Sequence, residues 1–166
     1  ATQDQITWVL TSYIVAAAIM MPVTGFFAAR FGRKRLLIVA VAGFTFASGL
    51  CGAAQTLDQM VAFRLLQGVF GAPLVPMSQA ILLDSYPREK HGSAMAIWGV
   101  GVMVGPILGP MLGGWLTEYY NWRWVFYINV PIGIAVVAGL IVALTESEPA
   151  DMRFDWMGFI TLSLAV

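Results

Sequence analysis

Long apolar runs separated by short polar interruptions make up the chain, and none shows the every-other-residue polarity of a half-buried strand. Five complete apolar segments fall at about 6–29, 35–54, 58–83, 92–117 and 123–144, and a sixth begins near 155. Crossing a hydrocarbon layer about 30 Å thick takes roughly 20 predominantly apolar residues, the length these segments reach one after another. In lipid the backbone must satisfy its own hydrogen bonds, which leaves helices or a closed barrel, and barrel strands would alternate in polarity over about 10 residues. The pattern therefore predicts an all-α membrane protein: a partial N-terminal transmembrane bundle over 1–144, a cytoplasmic linker at 145–154 and the start of a further transmembrane helix at 155–166.

The interruptions set the orientation. Arg30, Arg33, Lys34 and Arg35 crowd the first connection, whereas the second, Gln55 to Gln59, carries no basic residue. The third, from Asp84 to His91, holds Arg88 and Lys90; the fourth, Glu118 to Trp122, is acidic and aromatic with Arg123 at its edge. Basic connections stay cytoplasmic, so the first and third face inward and the second and fourth outward. The first segment then enters from outside, as it would if another helix preceded it. A start without Met and an end inside an apolar run lead to the expectation that both ends are cut from a longer protein. The acidic stretch Glu146 to Asp151 reads as the linker, and Trp8, Tyr119, Tyr120, Trp122 and Trp124 fall where outer aromatic belts belong.

Composition removes other classes of function. Of 166 residues, 59% are hydrophobic and 11% charged, with mean hydropathy +0.78, whereas a soluble domain carries about a quarter charged residues. Nine basic residues balance nine acidic ones, leaving no field to attract nucleic acid. The one cysteine, Cys51, lies in an apolar run and reads as a small packing residue. The one histidine, His91, sits in a connection and makes neither a metal site nor a catalytic triad. No Gly-rich phosphate loop ending in Lys-Ser or Lys-Thr is present, which argues against an ATP motor in this stretch.

Three features carry candidate chemistry. In the fourth segment Gly101, Gly105, Gly109 and Gly113 recur every four residues with Pro106 and Pro110 between them. Four residues turn a helix by about 400°, so the glycines form a slowly drifting smooth stripe along which a second helix can approach closely. The prolines soften the helix, so the stripe reads as a hinge or as a seal between moving bundles, with tight packing alone as the plain alternative. In the third segment Arg64 lies about six residues in from the outer end, followed by Gln67 and Gly68. An ionisable residue at that depth costs roughly 2.5 kcal/mol or more, so it faces the bundle interior or water, or else snorkels outward. An inward Arg favours the ionised form of a nearby acid; no complete segment holds a deep carboxylate, so the expected partner is outside this chain. The first connection, with Gly25 and the basic cluster, suits close helix approach and pairing with acids or helix C-termini across the bundle, besides anchoring on anionic lipid.

These residues resemble the major facilitator superfamily, in particular its EmrB/QacA-type fourteen-span drug:proton antiporters. Gly25, Arg30, Gly32, Arg33 and Lys34 look like its cytoplasmic gate motif, although the usual acid of that motif falls on Ala29 here. Arg64 and Gln67 look like the fourth-span motif associated with proton transfer. The run from Gly101 to Gly114 is similar to the antiporter motif of the fifth span. Trp122 to Gly133 resembles the sixth-span entrance, and Asp155 to Gly158 the segment that follows. The resemblance implies proton-coupled multidrug efflux by alternating access in the inner membrane, with no enzyme activity and no cofactor beyond the proton as coupling ion. It implies as partners a small lipophilic substrate, the lipid bilayer, and a missing N-terminal helix and C-terminal half of the same transporter. Two other readings stay open: a facilitator for a native metabolite, and a membrane sensor or assembly subunit that moves nothing.

Overall fold

The computed structural model describes residues 3–144 and Thr161, so the linker expected at 145–154 and nearly all of the segment expected at 155–166 lie outside the described residues. Within them the chain is helical: α1 (Gln3–Phe31), α2 (Arg33–Ala53), α3 (Leu57–Gly71), α4 (Leu74–Ser85), a single 3-10 turn (Arg88–Lys90), α5 (His91–Tyr119), α6 (Trp124–Tyr127) and α7 (Asn129–Ala143). They form five spans long and apolar enough to cross a membrane, because α3 with α4, and α6 with α7, act as the halves of two broken rods.

The breaks follow from proline. Pro73 and Pro76 withhold the N–H groups that would bond the carbonyls of Val69 and Ala72, and the helix restarts at Leu74. Pro131 does the same to the carbonyl of Tyr127, beside the joint at Ile128. Pro106 and Pro110, by contrast, sit within an α5 that stays helical from end to end. The first connection is tighter than the sequence suggests. Arg30 and Phe31 belong to α1, Arg33 to Arg35 belong to α2, and Gly32 alone turns the chain at φ 87°, donating its N–H to the Ala28 carbonyl at 3.0 Å. At the opposite end Thr56 caps α3 by accepting from the Gln59 N–H at 3.2 Å, while Gln59 accepts from the Gln55 N–H at 2.9 Å.

Packing rests on small residues, as expected where lipid offers no hydrophobic drive and backbones must come close. α3 lies against both α1 and α2, and α7 against α2. Ala40, Ala47, Ser48 and Cys51 on α2 are at most 1% exposed. Gly68 of α3 lies against the α1 backbone: a Cβ there would stand 2.9 Å from that of Ala16. Gly133 of α7 likewise receives the Thr45 side chain of α2. α5 stands apart, buried only at Ala94 and Leu116 near its ends, with Trp98 Nε1 donating to Ser78 Oγ of α4 at 3.2 Å.

Two ends of the bundle are thereby defined. One gathers Gly32, Arg33, Asp84 and the last turn of α7. The other gathers the close of α2, the connection to α3 and Arg123, whose Nη1 donates to the Gly52 carbonyl at 2.6 Å. The first and third connections share one end and the second and fourth the other, the pairing that the distribution of basic residues requires.

Candidate functional site

Arg64 is a half-buried charged side chain set among the helices. It lies on α3 where Gly68, one turn on, lets α1 close in, and so meets α1 directly: Nε donates to the Val9 carbonyl at 3.2 Å. Nη1 donates to Gln67 Oε1 at 2.9 Å. The guanidinium carbon stands 4.7 Å from the Tyr13 ring centroid and 5.8 Å from that of Phe126, within cation-π range of both. Gln67 is 2% exposed, and its Oε1 also accepts a long contact from Cys51 Sγ at 3.8 Å. Two donors on one oxygen fix the amide's orientation, so Arg64 is held in a set geometry across α1, α2 and α3.

Every acceptor described for Arg64 is an amide or carbonyl oxygen rather than a carboxylate. A guanidinium kept charged by neutral partners retains an unneutralised positive field, open to an acid brought beside it. Arg64 and Gln67 are therefore assembled into one cluster, together with Tyr13, Phe126, Cys51 and the Val9 carbonyl.

The basic connection makes a second cluster at the opposite end. Arg33 pairs with Asp84 of α4, and Lys34 Nζ donates to the carbonyls of Ile141, at 3.1 Å, and Leu144 at the close of α7. Lys34 thus supplies a cation to unsatisfied carbonyls at a helix C-terminus. Arg30 ends α1, and Gly32 provides the positive φ. A Cβ at Gly25 would meet nothing within 4 Å among the described residues.

The α5 stripe is likewise uncovered among the described residues. Gly101, Gly105, Gly109 and Gly113 have no neighbour within 4 Å of a Cβ position, and Pro106 and Pro110 lie on exposed turns between them. Among the described residues no helix packs along the stripe; the close glycine contacts occur instead on α2, α3 and α7.

Sequence reasoning missed several members. Asp84 was legible as the carboxylate bordering the third connection, on the same side as the basic cluster. Tyr13 and Phe126 carried no signal, because rings at apolar positions look like any others until tertiary packing places them over a cation. The pair of buried Ser48 and half-buried Asn129 was also missed: Asn129 Nδ2 donates to Ser48 Oγ at 3.0 Å, and Ser48 Oγ donates to the Phe126 carbonyl at 3.0 Å.

Comparison with known proteins places this arrangement in context. The Major Facilitator Superfamily pattern matches residues 1–156. The multidrug export protein EmrB of Haemophilus influenzae is 45% identical, covering 100% of this chain and 33% of that protein. The fatty acid resistance protein FarB of Neisseria gonorrhoeae is 50% identical with the same coverage. EmrB of Escherichia coli K12 is 42% identical over 98% of the chain and 32% of its own length. The chain spans about a third of the length of the curated relatives it matches.

Proposed function

The chain belongs to the major facilitator superfamily, and we propose that it supplies helices of the N-terminal bundle of a proton-coupled multidrug efflux transporter. Its five apolar spans make it a multi-pass membrane protein; the inner membrane is its proposed location. Its proposed work is alternating access, in which two halves rock about a central site and no covalent bond is made or broken. The names of the relatives, multidrug export proteins among them, support drug efflux as the activity.

The observation that carries the coupling role is Arg64 anchored on Gln67 and the Val9 carbonyl with no carboxylate among its described acceptors. Desolvating a cation in a helical bundle costs several kcal/mol, and neutral acceptors such as those described for Arg64 leave it suited to an acid that comes and goes. The proton is the proposed coupling ion, exchanged on a carboxylate from a part of the transporter beyond these residues. Small lipophilic molecules are the proposed cargo, and the name of the fatty acid resistance protein FarB favours fatty acids as a second class.

Replacing Arg64 with Ala in the full-length protein tests the reading. Protonophore-sensitive drug export should fall at least tenfold while the protein remains inserted. Undiminished, protonophore-sensitive export by that variant would overturn it.

A further inference from the structure

The end of the bundle away from the basic connection contains a cavity of about 630 Å³, bounded by the start of α1, the connection before α3 and the region around α6. Its wall includes Gln55, Thr56 and Arg123 as well as Val9, Met60 and Phe126. Holding one water takes about 10–15 Å³ and two to four polar partners, so this space is both large and polar enough to be wet. Two other cavities contrast with it. The 430 Å³ groove between α2 and α7 has Thr45 as its one polar side chain, already bonded to the Val41 carbonyl at 2.7 Å. The 400 Å³ groove among α1, α2 and α3 is apolar except for Arg35.

The polar cavity ends one residue short of Arg64. Cys51, Ala54 and Met60 form a buried cluster on which Val9, Phe63 and Phe126 pack. Val9, Ala54, Met60 and Phe126 also face the cavity. Behind them the Val9 carbonyl accepts from Arg64, the Phe126 ring lies 5.8 Å from the guanidinium, and Cys51 touches Gln67. One layer of side chains therefore separates this polar space from the half-buried guanidinium.

Phe126 is the member of that layer best placed to move. It sits on α6, a single helical turn ending at the Ile128 joint. α6 is tied to α2 at two points: Ser48 holds the Phe126 carbonyl and is itself held by Asn129, and Arg123 holds the Gly52 carbonyl. We propose that this cavity is an outer water vestibule for Arg64, lying inside the bundle, with Phe126 as its gate and the Ser48–Asn129 pair as the latch that keeps the gate closed. The role rests on Arg64 being the coupling residue; the vestibule and gate rest on geometry alone.

The test uses the full-length transporter with any cysteine other than Cys51 replaced, and a membrane-impermeant maleimide added from the outer side. Val9→Cys in a Cys51→Ser background should react from outside and stay protected from inside, because the wall of a wet vestibule is reachable from one face. Cys51 itself, 0% exposed, should react slowly in the parent and at least tenfold faster from outside in Phe126→Ala. Asn129→Ala should move Cys51 reactivity the same way by a smaller factor, and Phe126→Trp should leave it slow. Protection of the Val9→Cys thiol from the outer reagent overturns the vestibule, and an unchanged Cys51 rate in an inserted Phe126→Ala protein overturns the gate. Neither result depends on transport, so loss of export in Arg64→Ala alongside failed labelling would leave the coupling reading standing and remove this one.

Discussion

Arg33, the first residue of α2, forms an ion pair with Asp84 at the end of α4, tying together two positions 51 residues apart at one end of the bundle. Their side chains are 42% and 60% exposed, so the pair contributes under about 1 kcal/mol to stability. Its value lies in holding the start of α2 and the end of α4 in register. Asp84→Asn should leave the melting temperature within about 2 °C of the parent and lower drug export severalfold. Exchanging the charges, Arg33→Asp with Asp84→Arg, should restore part of that export, and an exchange that restores nothing would mean the pair is incidental.

Lys34 acts on a helix end instead of a carboxylate. Removing its ammonium with Lys34→Met keeps the stem but leaves the carbonyls of Ile141 and Leu144 without their cation, a loss of about 0.3–1 kcal/mol and up to about 2 where partly buried. The last turn of α7 should then exchange its amide hydrogens several times faster, while α2 is unaffected. Lys34→Arg should stay near the parent rate.

Gly68 gives a sharper stability effect. A Cβ at this position would press into the α1 backbone at Tyr13 and stand 2.9 Å from the Ala16 Cβ and 3.2 Å from the Ala17 nitrogen. Gly68→Ala should cost about 1–3 kcal/mol and lower the melting temperature. It should also reduce export, because α1 carries the Val9 carbonyl and the Tyr13 ring that hold Arg64. Gly105→Ala on α5 makes the contrast: nothing among the described residues lies within 4 Å and Ala is the better helix former, so stability should hold or rise by roughly 0.5–1 kcal/mol. An equal loss at both positions would show that the helix, and not the α1 contact, sets the effect.

The basic cluster shows how far a local pattern reaches. Four cations in six residues determine which side of the membrane they occupy, because moving charge across lipid is costly whatever the fold. That Arg33 would meet Asp84 and Lys34 the end of α7 required the helices to be assembled. The same limit applies to Gly32, whose turn was legible as a connection but not as a single residue with φ 87°.

Hydrophobic length and proline placement along the chain decided by themselves that this protein is a set of apolar helices long enough to cross a membrane, and charge placed Arg64 well inside one of them. Those properties are local: each depends on the cost of putting one segment or one charge into hydrocarbon. Only the tertiary structure decided that Tyr13, Phe126, the Val9 carbonyl and Gln67 surround Arg64, that close glycine contacts fall on α2, α3 and α7, and that nothing among the described residues covers the stripe on α5. Such matters depend on which helix faces which, and that is settled by side-chain shape and hydrogen bonding between segments far apart in the chain.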